Sequence, residues 1–105
     1  MEAFLKVMGS LYDETRVRLL AFLVKHGPLC VCDLAASFTM GQSRLSRHLK
    51  ILKEAGFLEV QRRGKWHYYA LAKDLAPLQR DLVRHIQNLQ LELPQLQKAS
   101  QECRI

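Results

Sequence analysis

The order of the amphipathic segments along this chain of 105 residues constrains its fold more than any other feature. Apolar residues recur with helical spacing in four segments, which we predict to be helices over residues 3–11, 14–26, 30–38 and 42–55. Asp13 is a good N-cap, and Gly27 followed by Pro28 ends the second helix. Gly41 precedes the fourth helix, where its freedom suits the backbone angles of a tight turn. The third and fourth segments together are typical of a helix-turn-helix.

A β-hairpin is predicted directly after the fourth helix, which Gly56 closes. Residues 57–62 alternate as a strand should, Arg63-Gly64 forms the turn, and residues 65–71 return as the second strand. A hairpin in this position is a wing. We therefore predict a mainly helical fold with a small β-hairpin wing, a winged helix-turn-helix with the element order ααααββα.

A long leucine-rich stripe follows the wing. We expect a last helix that begins near Lys73 or Asp74 and continues for about six turns, with a kink or break at Pro94. The apolar positions of this stripe are Leu75, Leu78, Leu82, Ile86, Leu89, Leu93 and Leu96. So long a stripe exceeds what one small core can cover, which favours a homodimer, although a helix lying over its own core remains the alternative. We predict a domain over residues 1–96 and a flexible polar tail over residues 97–105.

The charge balance favours a polyanionic partner. The chain carries 16 basic and 10 acidic residues, a net charge of +6, and Lys and Arg can replace counterions along phosphates. A merely soluble basic protein is the alternative that charge alone leaves open. No apolar run approaches the length that spans a bilayer, and the N-terminus lacks the pattern of a signal peptide, so we expect a cytoplasmic protein with no membrane partner. Thiols stay reduced there, so the three cysteines favour metal or redox chemistry over a disulfide framework.

The fourth helix has the chemistry of a DNA-reading element. We predict contacts to base edges in the major groove from its N-terminal, outward residues, which are Gln42, Ser43, Ser46 and Arg47. Phosphates or the groove rim are assigned to Arg44, His48, Lys50 and Lys53, and the DNA backbone or minor groove beside the wing to Arg62, Arg63 and Lys65. The alternative is a solvated basic face. The wing aromatics Trp66, Tyr68 and Tyr69 are expected to pack the hairpin.

Three segments resemble the arsenical repressors of the ArsR/SmtB family. They are Cys-Val-Cys-Asp-Leu at 30–34, Ser-Arg-His-Leu-Lys-Ile-Leu-Lys-Glu-Ala-Gly at 46–56, and Arg-Gly-Lys-Trp-His-Tyr at 63–68. The resemblance covers about residues 10–75, and its order and spacing are specific. It implies a homodimeric repressor that binds an inverted-repeat operator without any cofactor and leaves the DNA when trivalent arsenic or antimony binds its thiolates.

The ligand set that this resemblance implies is incomplete here. Cys30 and Cys32 match the first two of the family's three cysteines, but Ala35 stands where the third would be and cannot ligate. Cys103 is the other thiol, which the tail could bring to the site from its own or the partner subunit, unless it is a stray cysteine. On the last helix, Asp81 and His85 lie four apart with no second ligand pair, which argues against a zinc site.

The spacing of the two thiols has a mechanical consequence. Residues two apart on a helix lie about 200° apart around its axis, so one small ion can bind both only if the helix start is irregular. We expect helix amides and basic neighbours to favour the thiolate forms. A redox switch, in which Cys30 oxidises with Cys103 or with a partner cysteine, remains open. A dithiol oxidoreductase is disfavoured because Cys-Val-Cys lacks the usual two-residue spacer, and we expect no enzyme.

Overall fold

The computed structural model describes residues 1–99. Its elements are α1 (Glu2–Ser10), α2 (Glu14–His26), β1 (Leu29–Cys30), α3 (Val31–Phe38), α4 (Gln42–Glu54), β2 (Leu58–Arg63), β3 (Trp66–Leu71) and α5 (Pro77–Asn88). The predicted winged helix-turn-helix order is confirmed. The strand β1 was not predicted. Because Cys30 belongs to it, α3 begins one residue later than expected. No helix within residues 1–99 is long and apolar enough to cross a membrane.

The ends of α2 follow local sequence signals, whereas the turn between α3 and α4 does not. The Asp13 side chain accepts a hydrogen bond from the backbone N–H of Arg16 at 3.2 Å, which confirms the predicted N-cap of α2. Gly27, with φ 79°, ends that helix. The special angles of the turn between α3 and α4 were expected at Gly41 but occur at Thr39, with φ 51°. Gly41 has φ −65° and is the N-cap of α4, so its own angles need no glycine.

The wing belongs to a three-stranded antiparallel sheet with the order β1-β3-β2. The hairpin register places Arg63 opposite Trp66 and closes the turn at Gly64, where φ is 64°. On its other edge, β3 pairs with β1, and Cys30 lies opposite Tyr68. The short strand β1 therefore attaches the wing to the residues that lead into α3.

The hydrophobic core lies between the helix-turn-helix, α2 and the base of the wing. Leu45, Leu49 and Leu52 of α4 are fully buried, as their helical spacing predicts. They belong to one cluster with Leu34 of α3 and Phe57, which precedes β2. Because the inward face of α4 is locked into this cluster, the opposite face of the same helix points outward.

The prediction for the last helix was wrong at both ends. Helix α5 begins at Pro77, a residue favoured at the first helical position, and it ends at Asn88 after 12 residues. Gln90 then takes a φ of 52°, so the helix stops well before Pro94, and no kink there is needed. The last two leucines of the stripe, Leu93 and Leu96, are partly buried against the core, as is Leu91, whereas Leu89 is 50% exposed. The stripe thus divides between a helix and a returning segment, and its length does not by itself require a dimer.

Candidate functional site

The thiol pair lies at the junction of β1 and α3. Cys30 is the N-cap of α3 and is extended, with φ −81° and ψ 161°, whereas Cys32 is the second residue of the helix. Since Cys30 stands outside the helix, the separation of 200° expected for two helical residues does not apply. The irregular start that a shared small ligand would need is therefore present in the backbone at Cys30.

Both cysteine side chains are buried in a small cluster of their own. Cys30 is 5% exposed and Cys32 is 7% exposed, and Trp66, Tyr68 and Ala99 pack against them. Burial raises the pKa of the Cys30 thiol, and the hydrogen bond from the Asp33 backbone offsets this only in part. The expectation that the helix start favours a thiolate was therefore wrong for Cys30, because desolvation outweighs the helix amide.

One contact joins the thiol pair to the fourth helix. The Nε2 atom of Gln42 donates to the Sγ atom of Cys32 at 3.4 Å. Gln42 is the first residue of α4 and is otherwise exposed, and we predicted it to contact a base edge. Gln42 therefore lies on the surface predicted to contact DNA and also contacts the sulfur of Cys32. Its role toward DNA stays a prediction.

The C-terminal part of the described chain packs along α3. The Asp33 carboxylate accepts a hydrogen bond from the backbone N–H of Ala99 at 2.8 Å and lies 3.6 Å from the Lys98 ammonium. One helical turn further on, the Ser37 hydroxyl accepts a hydrogen bond from the backbone N–H of Gln97 at 2.8 Å. Residues 97–99 thus have hydrogen-bond or ion-pair partners on α3, and the predicted boundary at residue 96 stays a prediction. Cys103 lies outside the described residues.

The proposed reading surface is basic and open to solvent. Of the residues predicted to contact DNA, all but His48 are exposed. They are Gln42, Ser43, Arg44, Ser46, Arg47, Lys50 and Lys53 of α4 and Arg62, Arg63 and Lys65 of the wing. At the wing tip, the Arg63 guanidinium lies 5.0 Å from the centre of the Tyr68 ring, and the Lys65 ammonium lies 5.5 Å from that of Trp66. The aromatic rings thus make cation–π contacts with the cationic side chains of the wing tip.

His48 differs from the other residues assigned to DNA. It is half-buried, and its Nδ1 atom lies 3.1 Å from the Nη1 atom of Arg16 on α2. Burial lowers the pKa of His48, with a further contribution from Arg16, although the Asp13 carboxylate acts in the opposite direction. A neutral imidazole can accept from Arg16, so His48 ties α4 to α2. No sequence pattern indicated this contact, and a phosphate contact from His48 stays a prediction.

A metal-binding cluster of the usual kind is absent from residues 1–99, where no three His, Cys, Asp or Glu side chains converge on one point. Within that range the thiol pair is the group whose soft donor atoms suit a thiophilic ligand. Two cysteines at one site can fill two coordination positions when both are reduced. A third sulfur would have to come from outside the described residues or from another molecule.

Comparison with known proteins assigns the chain to a family. The model of the family described as bacterial regulatory protein, arsR family, matches residues 13–60. The crystal structure of the AntR antimony-specific transcriptional repressor is 30% identical, with a TM-score of 0.63 over 79% of this chain and 72% of that one. The chain belongs to the arsR family. This confirms the resemblance read from the sequence and agrees with the expectation of a non-enzyme, since the family consists of regulatory proteins.

Two further relatives extend the comparison. The arsenical resistance operon repressor of Escherichia coli is 44% identical over 68 residues, which are 65% of this chain and 58% of that protein. The homodimeric winged helix-turn-helix DNA-binding domain of Mb0332 from Mycobacterium bovis has a TM-score of 0.72 at 25% identity, over 84% of this chain and 78% of that one. The chain spans between 51% and 60% of the length of the first four curated relatives that it matches.

Proposed function

We propose that the chain is a metalloid-responsive transcriptional repressor. It binds operator DNA as a homodimer and is released when trivalent arsenic or antimony binds Cys30 and Cys32, with Cys103 as the third ligand. The observation that carries this proposal is the contact between the Cys32 sulfur and Gln42, because it joins a soft-ligand site to the first residue of the reading helix. The AntR and Escherichia coli relatives, which are named as antimony and arsenical repressors, support the choice of ligand.

The DNA-binding part of the proposal rests on the outward face of α4 and on the wing. Arg47 and Ser46 are exposed beside Gln42 near the start of the helix, where a recognition helix meets base edges. Arg63 and Lys65 stand at the wing tip, where they suit phosphates. We assign this activity to the cytoplasm, because operator DNA is found there and its reductants keep thiols reduced.

The homodimer of the proposal is supported by apolar surface on α1. Phe4 is 49% exposed and Leu5 is 57% exposed, and Met8 on the same helix is also exposed. Leu89 at the end of α5 adds a further exposed apolar side chain. Large apolar side chains grouped in this way favour association, and the Mb0332 domain is homodimeric. A two-fold dimer would present two copies of α4 to an inverted-repeat operator.

The chemistry of a trivalent arsenical suits buried cysteines in their reduced form. Arsenous acid, As(OH)₃, exchanges each hydroxyl for a thiol sulfur, so that a new As–S bond forms and one water leaves for every thiol bound. No ionised thiol is consumed overall, so the raised pKa of Cys30 does not oppose ligation. Cys32 would bond to arsenic through the sulfur that accepts the Gln42 hydrogen bond. Ligation therefore competes with that contact and disturbs the start of α4.

The same burial weighs against the redox alternative. The thiolate is the form that reacts with oxidants, and burial raises the pKa of Cys30, the residue to which the sequence analysis assigned this role. A raised pKa leaves less of Cys30 in the reactive thiolate form at a given pH. We retain the metalloid as the proposed trigger.

Titration of the operator-bound protein tests the proposal. Labelled operator DNA is followed by fluorescence anisotropy while arsenite is added under strong reductant, and we expect the DNA to be released. Cys30→Ser and Cys32→Ser should bind the operator like the wild type, since both side chains are buried, but should not be released. Release by oxidants alone would contradict the proposal, as would a wild-type arsenite response from Cys30→Ser.

A further inference from the structure

We infer that Arg16 and His48 are positioning residues for DNA recognition: the Arg16 guanidinium joins the end of α1 to the middle of α4 through the imidazole of His48, and so sets the direction in which the reading helix points. The inference rests on the proposed function and deepens it, because it names what holds α4 relative to the helix of the proposed dimer surface. Neither side chain needs to touch DNA for this role.

Arg16 joins three helices through one guanidinium. Its Nε atom donates to the backbone carbonyl of Ser10, the last residue of α1, at 2.8 Å, and its Nη1 atom lies 3.1 Å from the Nδ1 atom of His48 on α4. The same Nη1 atom lies 3.8 Å from the carboxylate of Asp13, the N-cap of α2. The Arg16 side chain is only 14% exposed, so these contacts are largely shielded from solvent. A planar guanidinium holds two acceptors at a set angle, which a lysine ammonium cannot do.

The contact with Ser10 fixes the end of α1. The last carbonyls of a helix lack partners within it, and a cation there suits the negative end of the helix dipole. Ser10 is 1% exposed, and its hydroxyl donates to the carbonyl of Val7 at 2.7 Å. The same helix carries Phe4, Leu5 and Met8, the exposed apolar side chains of the proposed dimer surface. Arg16 therefore links the reading helix to that surface.

The contact with His48 requires a neutral ring. Arginine can only donate, so Nδ1 accepts, and the proton of the neutral imidazole is then on Nε2. Burial lowers the pKa of His48. The Asp13 carboxylate opposes this effect, whereas Arg16, and Arg44 and Arg47 on α4, lower the pKa further. At neutral pH the ring is therefore the acceptor that the guanidinium needs.

This hydrogen bond gives α4 a fixed rotation that packing alone does not. Leu45 and Leu49 bury the inner face of the helix, but hydrophobic contacts have no preferred direction. A hydrogen bond weakens steeply when its angle departs from linearity, so it resists rotation of the helix about its axis. Any rotation that moves His48 moves its neighbour Arg47 by the same angle, and Arg47 is the residue predicted to contact a base edge.

Two substitutions at His48 separate the roles of its two nitrogen atoms. The amide oxygen of asparagine is the same number of bonds from Cα as Nδ1, so His48→Asn keeps an acceptor for Arg16 and loses the Nε2 donor. The amide nitrogen of glutamine is the same number of bonds from Cα as Nε2, so His48→Gln keeps that donor and has no acceptor at the Nδ1 position. His48→Ala, which has neither group, provides the reference.

Affinity is measured by fluorescence anisotropy with a labelled duplex that the wild-type protein has selected from random sequences. One hydrogen bond is worth about 2- to 10-fold in an equilibrium constant, and a dimer loses two of them. We expect His48→Gln and His48→Ala to bind about 4- to 100-fold more weakly than the wild type, because fewer molecules then hold α4 in the binding orientation. His48→Asn should bind like the wild type. Urea denaturation shows that each variant is folded.

The reverse order, in which His48→Gln binds like the wild type and His48→Asn does not, would show a phosphate contact through Nε2 and would overturn the inference. Equal affinities of the two variants would overturn it as well. If the wild-type protein selects no sequence, the DNA-binding proposal itself fails. The two failures are therefore distinguishable.

Substitution of Arg16 gives an independent test. Arg16→Lys keeps the charge but cannot hold Ser10 and His48 together, so the affinity should fall at least as far as in His48→Gln. Adding His48→Gln to Arg16→Lys should weaken binding no further, because both changes remove the same contact. Arg18→Lys is the matched control, since the Arg18 guanidinium pairs with Glu14 on its own helix. A further loss in the double variant equal to that of His48→Gln alone would overturn the inference.

Discussion

Removal of the Gln42 side chain should weaken the coupling between metalloid binding and DNA release. In the free protein, Gln42 donates to the Cys32 sulfur at 3.4 Å from the first turn of α4. If arsenic on Cys32 breaks this contact, part of the coupling free energy comes from the loss of one hydrogen bond. Gln42→Ala lacks the bond in both states, so it has nothing to lose on ligation.

The expected magnitude follows from the type of contact. A single hydrogen bond contributes about 0.5–1.5 kcal/mol net, and the exposure of Gln42 favours the lower half of that range. Since 1.4 kcal/mol is a tenfold change in an equilibrium constant, the coupling should fall by about twofold to fivefold. Coupling between two sites commonly amounts to about 5- to 150-fold, so the response should be reduced and not abolished.

The assay is operator binding by anisotropy with and without saturating arsenite. The coupling is the ratio of the two dissociation constants. If Gln42 also contacts a base, Gln42→Ala weakens binding in both conditions, and the ratio is insensitive to that loss. Ser43→Ala, on the adjacent exposed position, is the control for the ratio. A ratio equal to that of the wild type, alongside weaker binding, would mean that Gln42 reads DNA and does not transmit the signal.

Three further predictions concern the thiol, the reader and the core. Burial raises the pKa of Cys30, and the thiolate is the nucleophile. In a variant with Cys30 as its sole cysteine, alkylation at pH 8 should therefore be slower in the folded than in the unfolded protein, and the midpoint of the alkylation rate against pH should lie at higher pH when the protein is folded. Equal rates would refute this. Arg47→Ala should relax sequence preference at a cost of ~1–3 kcal/mol, whereas Arg63→Ala should weaken binding to all DNA and lower the salt slope; the reverse pattern in salt titrations would exchange their roles. Phe57→Ala removes a fully buried ring and should cost about 3–5 kcal/mol in the free energy of unfolding; a loss below 1 kcal/mol in urea denaturation would contradict the packing described.

The parts of the fold that depend on neighbouring residues were predictable from sequence. The helical spacing of Leu45, Leu49 and Leu52 identified the buried face of α4, and Asp13 marked the start of α2. The short strand β1 was not predictable in the same way, because two residues carry too little periodicity. It exists through pairing with β3, some forty residues further along the chain.

The last helix shows why leucine spacing alone was misleading. The same interval continues beyond Asn88, but a leucine that packs from an irregular segment satisfies the hydrophobic effect as well as one on a helix. The end of α5 depends on Gln90, whose positive φ no sequence pattern announced. Apolar periodicity therefore identified which residues are covered and not the backbone that carries them.

The candidate site was predictable only in its reactive atoms. The two cysteines were identified from the sequence motif, and the basic residues of α4 from their positions on a helix. Their surroundings were not, because Ser37 and Asp33 find their partners 60 and 66 residues away. An aspartate in the first turn of a helix is ordinarily explained by the helix dipole, so its second use left no local signature.

The strand β1 places Cys30 and Cys32 against different elements of the fold. Cys30 is held in the sheet that carries the wing, and Cys32 touches the first residue of the reading helix. An ion that joins the two sulfurs would therefore link the sheet of the wing to the start of α4 and would fix the angle between the wing and α4. Binding to DNA would require one particular angle between the wing and α4, because the major groove and the adjacent backbone have a set geometry. A single atom could then release a duplex without covering any part of the surface that holds it.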